Sequence, residues 1–291
     1  MPRPFRFGVS MMSPAPADEW REKCRRAEQL GYDVILVPDH LGMPAPFPAL
    51  VAAAEATERL RLGTFVLNAG FWNPTLLARE VATTDALTGG RLELGLGTGY
   101  IQAEHDTAGL PFGSPRERVD HLVRTVEELE RLLDSAGLPG SRVPLLIGGN
   151  GDRMLRLTAG HADIAAFTGM RLVPGSTTGK LDPLTAEELD ERVAAYQRLA
   201  VDRKEPAELN VLIQIVAVTD DREAAVRALH SRVPRLTLEQ VLALPIVLVG
   251  TVEQISAQVR AQRERYGFSY MTVLEPYMEA FGEVIEALRG E

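Results

Sequence analysis

A single cysteine, Cys24, excludes an intrachain disulfide from this 291-residue chain. One thiol in an amphipathic helical stretch reads as a small buried apolar group, and the count is compatible with a reducing compartment. No uninterrupted apolar run approaches the roughly 18 residues that a membrane-crossing helix needs. The first residues, Met1-Pro-Arg-Pro-Phe-Arg-Phe7, lack the apolar core of a signal peptide. A cytoplasmic protein without a membrane partner is therefore expected. Positive charge is also in short supply: 31 Lys and Arg face 40 Asp and Glu, a net charge of -9. That balance argues against general nucleic-acid binding, which needs a basic footprint, but not against a small anion in a local pocket. The five histidines (His40, His105, His121, His161, His230) are scattered, with no zinc spacing, so no metal is expected. A Gly-x-Ser-x-Gly elbow and a Walker loop are likewise missing.

What the sequence does contain is a repeated strand-then-helix alternation. Strands are expected at Phe5–Val9, Asp33–Val37, Arg61–Leu67, Arg91–Leu96, Val143–Ile147, Asp163–Phe167, Leu209–Val218 and Tyr270–Leu274. Within Asp33–Val37 the run Val34-Ile-Leu-Val37 is continuously apolar, as in a strand buried on both faces. Helices are expected at Asp18–Leu30, Ala49–Arg59, Pro74–Leu87, Asp152–Ala159, Asp221–Ser231, Thr237–Leu244 and Pro276–Leu288. Three more start at capping boxes: Ser114 with Glu117, Thr185 with Glu188, and Thr251 with Gln254. Eight such units with no linker predict an α/β protein, a single (β/α)₈ barrel domain over residues 1–291. The Gly-, Thr- and Pro-rich stretch 168–183 reads as an inserted loop, either a lid or a plain surface loop.

In a parallel barrel the working residues gather where the strands end. Asp39-His40 follows strand two; a carboxylate beside an imidazole can position and exchange a proton, or be structural. Gly148-Gly149-Asn150-Gly151 precedes a helix start, which suits a phosphate cradle with Arg153 adding charge, or an ordinary glycine turn. Gly97-Thr98-Gly99 would let a flat ring lie against backbone. Met11, Met12, Met43, Phe71 and Trp72 are either apolar walls of a small-molecule pocket or core packing.

These residues together resemble the bacterial luciferase-like monooxygenase superfamily, in particular its branch dependent on the deazaflavin coenzyme F420. The resemblance rests on Val37-Pro-Asp-His40, Leu62-Gly-Thr-Phe-Val-Leu67 with Asn73-Pro74, Gly89-Gly-Arg-Leu-Glu-Leu-Gly-Leu-Gly-Thr-Gly99, Leu145-Leu-Ile-Gly-Gly149 and Gly250-Thr-Val-Glu-Gln-Ile255. It implies a luciferase-like (β/α)₈ barrel with an insertion near strand seven and a flavin or deazaflavin at its mouth. It implies that Asp39 and His40 face the ring, and that a non-proline cis peptide joins Phe65 and Val66. Val66, Asn68, Thr98 and Gly99 would contact the ring, and Gly148, Gly149, Asn150 and Gly151 the phosphate. The deazaflavin-dependent sugar-phosphate dehydrogenases carry Glu where this chain has Tyr100, and Trp near Met43, so Met11, Met43, Trp72 and Tyr100 are expected to line a different, more apolar substrate pocket.

The implied activity is hydride transfer between F420 and a small organic substrate, with His40 as acid/base. The alternative is an FMN-dependent monooxygenase supplied with reduced flavin by a separate reductase. A cofactor-free lyase or isomerase and a non-catalytic flavin binder are the other readings. The resemblance also implies a homodimer, with Leu76, Leu77 and Val81 as helix-face candidates.

Overall fold

The computed structural model describes residues 3–135, 142–231 and 233–291. Eight parallel strands close into a barrel: β1 (Arg6–Ser10), β2 (Val34–Val37), β3 (Arg61–Thr64), β4 (Leu92–Gly97), β5 (Leu145–Gly148), β6 (Ile164–Phe167), β7 (Glu208–Ile213) and β8 (Phe268–Leu274). The ring is sealed at two seams. β1 pairs with β8 from Arg6↔Tyr270 to Ser10↔Leu274, and β3 pairs with β4 through Leu62↔Leu92 and Gly63↔Glu93. The third strand is interrupted by the cis peptide Phe65–Val66 and resumes at Leu67–Asn68, still paired with β4.

Strand periodicity divides the core into two layers. Ile35 and Val37 join Phe7, Val9, Leu50 and Leu62 in the layer against the helices. Val34 and Leu36 join Phe65, Leu146, Ile164, Ala166 and Tyr270 inside the barrel. Alternate side chains point to opposite faces, so a strand apolar on both faces must sit between two buried layers. Met11 continues the odd-numbered series and is fully buried in the outer layer. This corrects the expectation that Met11 lines a pocket: it offers no surface to the mouth.

Helices α1 (Ala17–Gln29), α2 (Pro46–Ala56) and α3 (Pro74–Leu87) cover the first strands. Leu77 and Val81 on α3 are consumed by packing on the barrel, and of the three dimer-face candidates Leu76 alone is exposed. A short helix that sequence periodicity did not reveal follows β4: α4, Gln102–Ala108. Then come α5 (Pro115–Ser135), α6 (Asp152–His161) and α7 (Ala186–Leu199). The capping boxes of Thr185 with Glu188 and Thr251 with Gln254 are formed, and Ser114 and Glu117 exchange the same two bonds.

Two insertions sit beyond the ring. Residues 168–183 form an antiparallel hairpin, Met170–Leu172 against Leu181–Pro183. The expected long seventh strand breaks at Gln214. Its second part, Ile215–Val218, pairs instead with Val247–Gly250, and Val226, Leu236, Val241 and Leu244 fill a small core beneath that pair. Among the described residues no helix is long and apolar enough to cross a membrane.

Candidate functional site

The ends of β2, β3 and β4 bring together Asp39, His40, Asn68, Trp72, Thr98, Gly99 and Tyr100. Asp39 Oδ2 accepts two bonds, from the Trp72 indole Nε1 at 2.9 Å and the Asn68 amide at 3.2 Å. Burial pushes the Asp39 carboxyl above its ordinary range, against the pull of those donors and of His40. Asp39 is thus a strut between strand ends. It makes no hydrogen bond to its neighbour His40, and the expected Asp39–His40 proton pair is corrected here.

The carboxylate that meets His40 is Glu104 of α4. His40 Nδ1 lies 3.0 and 3.1 Å from the two Glu104 oxygens, and the Leu41 amide adds a 3.2 Å bond to Oε1. The His40 side chain keeps 24% of its surface exposed and Glu104 14%. Tyr100 sets its ring edge-on to the imidazole, centroids 5.7 Å apart at 84°. Burial, with Glu104 nearby, pushes the Tyr100 phenol above its ordinary value, so it stays protonated at neutral pH. Met43 donates its amide to the His40 carbonyl at 3.1 Å and, like Trp72, is half-buried.

Asn68 is buried, and its amide is oriented within the protein. Oδ1 accepts from the Gly70 amide at 3.0 Å, and Nδ2 meets His105 Nε2 at 2.9 Å. His105 Nδ1 faces the Pro111 carbonyl at 3.0 Å, which can only accept. The geometry suits a ring that donates from Nδ1 to that carbonyl and accepts at Nε2 from the Asn68 amide. Gly99 is held at φ 67°, and a Cβ there would lie 2.2 Å from Asn68 Oδ1. Nothing bulkier than glycine fits that turn.

Val66 joins this cluster to the glycine run after β5. A Cβ on Gly97 would come 2.7 Å from Val66, and one on Gly148 would come 3.5 Å from it. Among the described residues the side chain nearest a Cβ on either glycine is Val66, which leaves a shelf fit for a flat ring. Beyond it, Gly151 begins α6 without a side-chain cap, so the amides of the first turn are free of that partner. Asn150 Nδ2 is fixed by the Met170 carbonyl at 2.8 Å, while its buried Oδ1 has no hydrogen-bond partner among the described residues. A buried acceptor left open calls for a ligand N–H or O–H. Arg153 does not serve this cradle: Asp120 of α5 and the Arg116 carbonyl hold it. The residues present could hold a flat ring against the Val66 shelf and an anion at the first turn of α6, the anion through backbone amides rather than Arg153.

The other side of the mouth is closed by Glu275, which accepts the Met12 and Ser13 amides at 2.7 Å each and pairs with Lys23 at 3.1 Å. Burial works to raise its pKa, but those donors outweigh it and the net direction is down. Across the mouth the hairpin reaches α4: Ala103 donates to the Thr177 carbonyl at 3.2 Å, and Gly179 packs against Tyr100 and Ile101. Sequence reasoning missed Glu104. The signal available was a carboxylate two residues into a short polar stretch closed by Gly109, at φ 69° a helix stop.

Comparison with known proteins converges on one family. The family model described as luciferase-like monooxygenase matches residues 3–244. An F420-dependent glucose-6-phosphate dehydrogenase from Intrasporangium calvum is 40% identical over 118 residues, 37% of this chain and 35% of that protein. The oxygenase component of a flavin-dependent trigonelline monooxygenase from Acinetobacter baylyi is 32% identical over 119 residues, 38% of this chain and 33% of that protein. Both matches thus span about a third of the relative's length. A solved F420-dependent secondary alcohol dehydrogenase, in complex with an F420-acetone adduct, superposes with a TM-score of 0.78 at 18% identity, covering 99% of this chain and 100% of that one.

Proposed function

Because the chain belongs to the luciferase-like monooxygenase family, we propose that it is an oxidoreductase that moves a hydride between coenzyme F420 and a small organic substrate. The observation that carries this reading is His40, held by a carboxylate at the carboxyl rim of the barrel, next to Asp39, which bonds the Asn68 amide two residues beyond Val66. The F420-dependent relative and structural neighbour support the same cofactor class. Bound there, the deazaflavin would supply a ring that takes or gives a hydride.

The chain's own residues do the rest. Val66, Gly97, Thr98, Gly99 and Gly148 would hold the ring. Gly149, Gly151 and the first turn of α6 would bind the phosphate, and Asn150 Oδ1 would accept a hydroxyl of the connecting chain. His40 takes up or returns the substrate proton, a role worth roughly 10²–10⁴ in rate. Met43, Trp72 and Tyr100 supply the half-buried substrate wall, which favours a substrate less polar than a sugar phosphate. The hairpin over the mouth limits water. A homodimer remains part of this proposal.

Titration of the purified protein with F420 and with FMN, followed by fluorescence, tests the reading. Saturable F420 binding that weakens on Asn150→Asp is expected. Tight FMN binding with no measurable F420 binding would overturn it and favour the second reading. That reading is an FMN-dependent oxygenase fed by a separate reductase, favoured by the trigonelline monooxygenase match. Oxygen consumption with reduced FMN separates the two, since the F420 enzyme consumes none.

A further inference from the structure

We infer that Glu104 is a positioning residue that restricts His40 to proton transfer through a single nitrogen, Nε2. This deepens the acid/base role proposed above and rests on that reading for its kinetic part only.

The argument starts from what a carboxylate can do. An ionised carboxylate only accepts, so with both Glu104 oxygens within 3.0–3.1 Å of Nδ1, that nitrogen carries the proton in the neutral ring. The lone pair is then on Nε2, which has no hydrogen-bond partner among the described residues. Glu104 is itself pinned by the Leu41 amide, so it cannot swing away from the ring without breaking a second bond. The Tyr100 ring, edge-on at 5.7 Å, occupies one flank of the imidazole. The other nearby carboxylate, Asp39, is occupied by Trp72 and Asn68 and does not compete for His40.

The element carrying Glu104 is built to hold it. A seven-residue helix has little stability of its own. α4 is anchored by Ala103 bonding to the hairpin carbonyl of Thr177, and by His105 clamped between Asn68 and the Pro111 carbonyl. Both anchors flank Glu104 in sequence. The carboxylate is therefore set before any ligand arrives, as electrostatic preorganisation requires.

Glu104→Gln keeps the shape but can turn an amide N–H toward Nδ1. The ring would then carry its proton on Nε2, the wrong tautomer for accepting one. In protein labelled with ¹⁵N-histidine, with His40→Asn assigning the signal, the wild type is expected to show Nδ1 protonated in the neutral ring. Glu104→Gln is expected to move that proton to Nε2 and to lower kcat by ~10²–10⁴-fold, with cofactor Kd unchanged. Glu104→Asp, one methylene shorter, is expected to keep the wild-type tautomer and recover part of the rate, which separates positioning from misfolding. An unchanged His40 tautomer in Glu104→Gln overturns the proposal, whatever the rate does. If the wild type turns over with neither cofactor, the oxidoreductase reading fails, and the nitrogen spectra still decide Glu104.

Discussion

Asp39 holds two donors on one oxygen, and that arrangement sets what its neighbours can do. Trp72 gives Asp39 its shorter bond, 2.9 Å, while its ring packs edge-on against Phe47 at 5.3 Å. Trp72→Phe keeps the packing and removes the donor. A hydrogen bond to a charged group contributes roughly 1.5–3 kcal/mol, and the half-buried position puts this one toward the lower end. The Trp72 bond favours the carboxylate, so it lowers a pKa that burial has already raised. Its stabilisation is full above that raised pKa and disappears as pH falls through it. The variant's deficit in urea unfolding should therefore be largest at neutral pH and shrink in acid. A deficit independent of pH would show that packing, not the hydrogen bond, was lost. The same residues show how far sequence goes. Asp39 and His40 stand out at a strand end, but adjacent residues of an extended segment point apart. The true partner of His40 lies 64 positions away, and no local pattern announces a contact of that range.

At the level of elements, the hairpin and α4 form one assembly over the mouth. Their strands of three residues and helix of seven are too short to carry a readable period, which is why 168–183 reads as a loop and 102–108 as nothing in particular. Their structure comes from contact with each other. Gly179, at φ 75°, leaves room for Ile101 and Tyr100: a Cβ would lie 2.5 and 2.8 Å from them. Gly175→Ala strains the same hairpin at φ 79° but meets nothing within 4 Å, and so serves as the control. Gly179→Val is expected to lift the tip, break the Ala103–Thr177 bond, speed amide exchange across 102–108 and lower kcat. The global unfolding midpoint should move far less, because local opening is separable from unfolding of the barrel. Equal exchange in the two variants would show that the tip does not brace α4.

The whole molecule separates stability from chemistry by placing them at opposite ends of the barrel. The eight β/α units and their order were legible because buried parallel strands are apolar runs and capping boxes mark helix starts. The polar plug at the base of the barrel was not, since it depends on residues far apart in the chain, Arg6, Arg61, Glu93 and Glu208. At the amino-terminal end Glu93, 1% exposed, pairs with Arg6 at 3.0 Å and Arg61 at 2.6 Å, while Arg6 also lies over the Tyr270 ring and within 3.5 Å of Glu208. Burial raises the Glu208 pKa, with Arg6 opposing; the shorter contacts of the two arginines, 3.0 and 2.6 Å against 3.5 Å, fall on Glu93. Replacing one member of a buried pair leaves uncompensated charge, at a cost of about 3–5 kcal/mol. Both arginines keep some solvent, 26% and 33% exposed, so Glu93→Gln should fall near the lower bound. The expected result is a clear drop in the urea midpoint with cofactor affinity unchanged, because the shelf of Val66 and the Gly148–Gly151 cradle lie at the other rim. Loss of cofactor affinity at the same protein stability would show that the two ends are coupled, and that the plug shapes the mouth as well as sealing the base.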